Sequence, residues 1–410
     1  MIEGTIQSNN SGLVFYFDVK EPKSYVGEPT TNRNQQISNY TGTNYADGSH
    51  GGEWTSSPTR FAKTYDASII TPIGFGATLC SESGTAGFHH LSSMGGGEES
   101  GAHSISCYVK PLNSITDFTI GMLGDGGNQV SFNLSTKAIT YGGGISNRNA
   151  FCVEVSGFPG WLYIGANIEG RLGGWVGCVG INTSSSYTPT IPYKAFYITG
   201  LQYEYKVAPT KFTVGTRSNT QGLLDLTTNS TIDLTNAGYN TSSEITFNGS
   251  SNYITTPTIN LGNTFTISAW FNSSGVAGDA VIVGTDANGC DNWLGVYNGY
   301  LFGLITEIAD INNFSFNGTT ALSNNQWYHA SIAVNVNTVT LYLNGKQDYT
   351  TTTAFTIGAW NGTFSIGRRC PSVAQRFFNG KINTVSMYNR VLSAAEIFKN
   401  FNSQKSRYSV

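Results

Sequence analysis

Paired carboxylates are the first chemistry to look for in a chain with few charges, and Glu307-Ile-Ala-Asp310 is the nearest approach to such a pair. Cleaving a glycosidic bond with retention needs two carboxylates within ~5.5 Å of each other. Side chains on a strand share a face only at even spacings, so a spacing of three puts Glu307 and Asp310 on opposite faces and argues against a hydrolase pair. The sequence contains no G-x-S-x-G elbow, H-E-x-x-H pair or G-x-x-x-x-G-K-[ST] loop, so the signatures of triad hydrolases, zinc proteases and P-loop enzymes are missing. The chain is expected to be non-catalytic.

Binding chemistry is better represented. DANGCDN (286–292) gathers Asp286, Asn288 and Asp291 on one loop. That is an oxygen-rich candidate for Ca²⁺, although it lacks the remote bidentate Glu of an EF-hand, and an Asx-rich turn is its plain alternative. No other cofactor is expected. A sugar ring offers C–H groups to aromatic faces and hydroxyls to amides and arginines. The residue types that match are Trp293, Tyr297, Tyr300, Trp360, Arg368 and Arg369 in the second half of the chain, and Trp54, Trp161 and Trp175 in the first. A core position is the alternative for each of these aromatics, because Trp and Tyr are mostly buried. His329 lacks a titrating partner in sequence and is expected to be packed rather than ligating. His89 and His90 are read in a Gly/Ser-rich loop near His103, Glu98 and Glu99, with spacings that match no zinc pattern. Cys80, Cys107, Cys152 and Cys178 lie in apolar runs and read as buried thiols. Cys290 and Cys370 lie in loops and are the pair to test for a disulfide.

The elements that must position these residues are strands. The chain has 410 residues with 49 Gly, 22 Tyr and 23 Phe, which suits many short strands and turns. Residues 265–272 alternate Phe265, Ile267, Ala269 and Phe271 with intervening residues read as polar. Residues 327–347 read as two strands ended by the turn pair Asn344-Gly345. Ser393 with Glu396 three residues on predicts a capping box and a short helix through Phe401. With 22 basic against 25 acidic residues, a net charge of −3 and 11% charged residues, nothing supplies the footprint that nucleic acid or an anionic membrane requires. The N-terminal MIEGTIQSNN has no basic n-region or apolar h-region, so neither a Sec export signal nor a membrane anchor is expected.

The order Trp327-Tyr-His329, then Leu341-Tyr-Leu-Asn-Gly345, then a strand leading to LSAAEI, resembles the laminin G-like (concanavalin A-like) domains over residues 222–402. The segment at 245–257 looks like the family's opening strands. The resemblance also implies an earlier strand like GLVFYFDVKEPKSY (12–25) running straight into a segment like GLLDLTTNSTIDLTN (222–236). About 190 residues separate the two here, more than a loop of a compact domain should hold. An inserted domain is therefore expected. Residues 1–28 and 218–410 would form a discontinuous laminin G-like sandwich, with a β-sandwich inserted over 29–217. The insert's closing segment AFYITGLQYEYKVAPTKFTVGTRS (195–218) looks like that of carbohydrate-binding-module-like jelly rolls in tailed-phage virion proteins, and GEPTTN (27–32) is similar to those proteins too.

The sequence thus predicts an all-β protein of two jelly-roll or β-sandwich domains with one short C-terminal helix. Its expected role is on the surface of a tailed-phage virion, in capsid decoration or fibre-type adhesion. The expected partners are other virion proteins, further copies of itself as a homo-oligomer, and host surface glycans, with assembly in the host cytoplasm. A secreted bacterial lectin or adhesin is the alternative, and a glycoside hydrolase of concanavalin A-like fold the second.

Overall fold

Short runs of alternating residues fold most of this chain. The computed structural model is accordingly all-β, with one α-helix among the described residues, Ala394–Gln404. The described residues are 11–31, 61–84, 86–93, 101–112, 115–122, 125–142, 149–170, 177–191, 193–213, 216–240, 244–309 and 312–410. The chain divides into two compact units, one built from the segments up to Pro29, Ser218–Asn240 and Glu244–Val410, the other from Thr30–Arg217.

In the first unit an eight-stranded antiparallel sheet contains Thr264–Ser273 between Asn379–Tyr388 and Trp327–Asn335. The N-terminal strand Leu13–Asp18 pairs with the last strand, Phe17 opposite Val385 and Asp18 opposite Thr384. The short strand Ile245–Asn248 pairs with the same strand one step along, Phe247 opposite Gly380. A six-stranded sheet runs Ile254–Asn260, Asn361–Ile366, Asp279–Thr285, Asn292–Tyr297, Tyr300–Thr306 and Asn313–Ala321 in spatial order. The core between them takes Phe15 and Phe17 from the N-terminal strand, Phe265, Ile267 and Phe271 from the central strand, and Leu294, Val296 and Ile305 from the facing sheet. Each such side chain is worth about 1.5–3 kcal/mol on burial, which is what draws the N-terminal strand in.

The strand at 264–273 is covered on both faces, so its alternation is not simply apolar and polar. Trp270 points away from the core and stacks on Tyr408 at 4.1 Å, and its indole donates to Gln404 Oε1 at 2.7 Å. The Ser393–Glu396 capping box starts the helix as predicted, and the helix runs three residues past Phe401. The Asn344-Gly345 pair turns the chain between Thr338–Leu343 and Lys346–Thr352, both residues having the positive φ of a type I′ turn. Two ties close the unit. Buried Asp18 accepts both guanidinium nitrogens of Arg407, at 2.5 and 2.8 Å. A disulfide joins Cys290 to Cys370 across 80 residues.

The second unit packs a six-stranded sheet, including Gly101–Leu112, Leu162–Gly170 and Ala195–Glu204, against a five-stranded sheet that includes Asp117–Met122 and Asp125–Asn133. Cys80, Cys107 and Cys152 are buried free thiols, and the side chain of Cys178 lies outside the described residues. The first and last strands of the unit, Thr30–Thr31 and Thr216–Arg217, pair with each other and bring its ends together. Glu204 is buried and fixes the closing segment: Thr210 donates to it from its backbone N–H at 2.9 Å and from its hydroxyl at 2.6 Å.

Candidate functional site

The outward side of the six-stranded sheet in the first unit carries a row of aromatic side chains. Leu294 and Val296 point into the core, so Trp293, Gly295 and Tyr297 point out. The next strand follows a two-residue turn, Asn298-Gly299, with φ of +48° and +85°. That turn sets Tyr297 directly opposite Tyr300, Gly295 opposite Phe302 and Trp293 opposite Leu304. Phe302 lies over the gap left by Gly295, its ring centre 4.6 Å from that of Trp293 and 5.3 Å from that of Tyr297. Gly295 is required there, since a Cβ would come within 3.0 Å of the Trp293 ring and closer still to the Ala280 carbonyl.

A row of aromatics results, sealed at one end and open at the other. Trp293 is 1% exposed, roofed by the Arg376 guanidinium 5.2 Å from its ring centre. Tyr297 and Tyr300 are each 37% exposed. The charges beside the row are paired: Arg376 with Asp279, which lies opposite Tyr297, and Arg369 with Asp291. Arg369 also donates to the Cys290 carbonyl at 3.2 Å and to Gln375 Oε1 at 3.1 Å. Cys290 and Arg376 both adopt left-handed backbone, φ +71° and +55°, a conformation that costs non-glycine residues on the order of 1 kcal/mol or more. The Cys290–Cys370 bridge holds these two loops together beside the sheet.

The structure thus brings Tyr297 and Tyr300 together at the open end and leaves Arg369 with Asp291 and Cys290, beyond the Trp293 end. Trp293, Trp360 and Trp161 are 1%, 0% and 2% exposed, so none presents an open ring face. Trp360 packs into the core against Phe265 at 4.7 Å. Arg368 is buried, its guanidinium 3.4 Å from the Tyr253 ring centre, and it donates to the Pro371 carbonyl at 2.7 Å; it holds its own loop. Trp54 and Trp175 lie outside the described residues.

Of the loop residues that offer oxygens for calcium, Asp291 is engaged by other side chains. Ca²⁺ takes six to eight oxygens, whereas the Asp291 carboxylate is taken by Arg369 and by Asn313, whose Nδ2 donates to it at 3.0 Å. Asp286 is an exposed residue preceding the 3₁₀ turn Ala287–Cys290, and the side chain of Asn288 lies outside the described residues. Among the described residues no three His, Cys, Asp or Glu side chains are placed to hold a metal. His89 and His90 lie on the strand Gly87–Ser93 rather than in a loop. His103 is buried on a strand of the opposite sheet, its Nδ1 2.6 Å from the Tyr203 hydroxyl. Glu98, Glu99 and Asp310 lie outside the described residues. Glu307 accepts from Asn312 Nδ2 at 2.6 Å. His329 is buried beside Trp270 with its ring centre 5.3 Å away, and burial lowers its pKa to about 3, so it is neutral at ordinary pH.

Phe302, Asp279 and Arg376 complete the surface and were not singled out from sequence. The Asn298-Gly299 pair between two tyrosines could have found Phe302, because a two-residue turn fixes which residues face one another. Asp279 and Arg376 are brought in by long-range pairing that no local pattern reports.

Comparison with known proteins agrees with this architecture. Residues 248–398 match the laminin G type family model described as the concanavalin A-like lectin/glucanases superfamily. These residues are therefore similar to the laminin G-like, concanavalin A-like jelly-roll domains. Similar solved structures include the binding domain of botulinum neurotoxin serotype D, with 14% identity, 45% of this chain and 49% of that one covered, and a TM-score of 0.34. The ligand-binding domain of the same serotype in complex with N-acetylneuraminic acid shows 16% identity, coverage of 45% and 48%, and a TM-score of 0.36. Domain 4 of AbnA, a GH43 extracellular arabinanase from Geobacillus stearothermophilus, in complex with arabinotriose, shows 17% identity, coverage of 43% and 91%, and a TM-score of 0.33. The match spans about half the length of the neurotoxin structures. No curated protein matches the chain.

Proposed function

We propose that this chain is a non-catalytic surface protein of a tailed-phage virion, serving in capsid decoration or fibre-type adhesion, and that the Tyr297–Tyr300 face is where it meets a host glycan. The observation that carries the binding reading is the directly opposed, half-exposed tyrosine pair at the open end of an otherwise sealed aromatic row. Aromatic C–H contact supplies affinity there, and the paired rim charges offer donors and acceptors without net charge. The carboxylates beside the row are held by arginines, so neither Asp279 nor Asp291 is free to act as acid or nucleophile, which supports a binding role over hydrolysis.

The virion assignment is supported by the resemblance of residues 27–32 and 195–218 to virion modules and by the low charge of the chain. In this reading 29–217 is a carbohydrate-binding-module-like domain inserted in the laminin G-like sandwich, and the protein works as a homo-oligomer among other virion proteins. One observation favours the secreted lectin or adhesin instead: the Cys290–Cys370 disulfide belongs to an oxidising compartment. A virion protein assembled in the cytoplasm would close that bridge only after lysis.

Immunogold electron microscopy of particles with an antibody to this chain separates the two readings. Label on the capsid or on the fibres is the expected result, and unlabelled particles would overturn the virion assignment. On a glycan array, Tyr297→Ala with Tyr300→Ala should weaken binding by about tenfold or more. An unchanged array profile would remove the tyrosine face as the site.

A further inference from the structure

A groove in the second unit has the properties of a separate ligand site. It has a volume of about 200 Å³ and lies at one end of the sandwich, between the turn at 133–138 and the loop at 155–161. Its apolar lining includes Leu134, Phe158, Pro159 and Trp161, and the exposed Lys137 and Glu154 complete it. Lys137 Nζ lies 2.6 Å from Glu154 Oε1, and both side chains are exposed.

Both walls are built before any ligand arrives. Asn133 Oδ1 accepts from the Thr136 N–H at 2.8 Å and the Ser135 N–H at 3.1 Å, and Lys137 N–H donates to the Asn133 carbonyl at 2.7 Å. The facing loop closes on itself, Phe158 N–H donating to the Val155 carbonyl, Trp161 N–H to the Phe158 carbonyl, and Val155 N–H to the Trp161 carbonyl. Lys137 has φ of +60°, a left-handed backbone that Gly or Asn would adopt more readily. A lysine kept there at a cost in backbone strain points to a use for its side chain.

We infer that this groove binds a single neutral pyranose ring. The volume is below the ~300–1,000 Å³ of clefts for drug-sized ligands, so it holds one ring rather than a chain of them. A free anion or cation finds its countercharge already taken, because the ammonium and the carboxylate neutralise each other. A polyol both donates and accepts, so it hydrogen-bonds to both members of the pair without breaking it, while its C–H face rests on Phe158 and Pro159. The pair also keeps itself charged: the Glu154 hydrogen bond raises the Lys137 pKa and the Lys137 hydrogen bond lowers that of Glu154. This site does not depend on the tyrosine face of the first unit, and its ligand need not be the same sugar.

The test is saturation-transfer-difference NMR of the full chain with methyl glycosides of glucose, galactose, mannose and N-acetylglucosamine. Transfer to the ring protons of at least one is expected. Phe158→Ala and Glu154→Gln should each weaken it by about tenfold. Lys137→Gly is the sharpest variant, because it suits the left-handed backbone. It should keep or raise the melting temperature while weakening binding to a similar degree. The Tyr297→Ala, Tyr300→Ala double variant should leave this binding intact, so failure here and failure of the tyrosine face are distinguishable. Absence of transfer from every glycoside, or transfer unchanged in Phe158→Ala and Lys137→Gly, would overturn the assignment, as would loss of transfer in the tyrosine double variant alone.

Discussion

The two units are both β-sandwiches, and they are held together by different means. The first adds ties that span the sequence: the buried Asp18–Arg407 pair, the Cys290–Cys370 bridge and a helix laid over Trp270 and His329. The second leaves Cys80, Cys107 and Cys152 as free thiols and fixes its closing segment through the neutral and charged groups around Glu204 and Thr210. The difference follows from where the strands come from. The first unit takes a strand from residues 13–18 and pairs it with residues 384–388, so it needs contacts that compensate for a long loop closure.

Breaking a long-range tie should therefore act on the first unit alone. The largest effect is expected from Asp18→Asn, which removes the buried countercharge of Arg407 and should destabilise that unit by about 3–5 kcal/mol. Calorimetry should show one transition moving down and the other fixed; two transitions moving together would mean the units do not melt independently. Reducing the disulfide, or Cys290→Ser with Cys370→Ser, should cost the same transition about 2–4 kcal/mol, read by denaturant titration with and without reductant. The smallest effect comes from a single unit of acidification below pH 6.5. His329 has a folded pKa of about 3 against an unfolded value of 6.5, so its contribution is complete above pH 6.5 and is lost as pH falls toward 3. The loss should be about 1.4 kcal/mol per pH unit in that window. His329→Gln should flatten the pH dependence, and an unchanged slope would show that other groups set it.

Much of the first unit was legible because its signals are local. Asn344-Gly345, the Ser393–Glu396 box and the 265–271 alternation each fix backbone within a few residues. The site was legible only as residue types. Alternation reveals that Trp293 and Tyr297 share a face, yet whether that face is covered depends on where residues 368–376 fall, some eighty positions away. That is why Trp293 and Arg368, sugar-binding candidates by residue type, are closed, while Tyr297 and Tyr300 stay at the surface. Trp161 is likewise buried, although it contributes to the lining of the groove in the second unit. Lys137 and Glu154 gave no signal, since they meet through two turns that only the fold of the second unit sets side by side.

The pairing of Leu13–Asp18 with Asn379–Tyr388 also has a consequence on the ribosome. At 5–20 residues per second, the partner strand emerges roughly 20–70 s after the first one. Throughout that interval Phe15 and Phe17 have no native neighbour on the last strand, while residues 30–217 have long since been completed. The nascent chain must therefore fold its middle before its beginning. Until residues 379–388 are made, the apolar strand Leu13–Asp18 lacks its sheet partner.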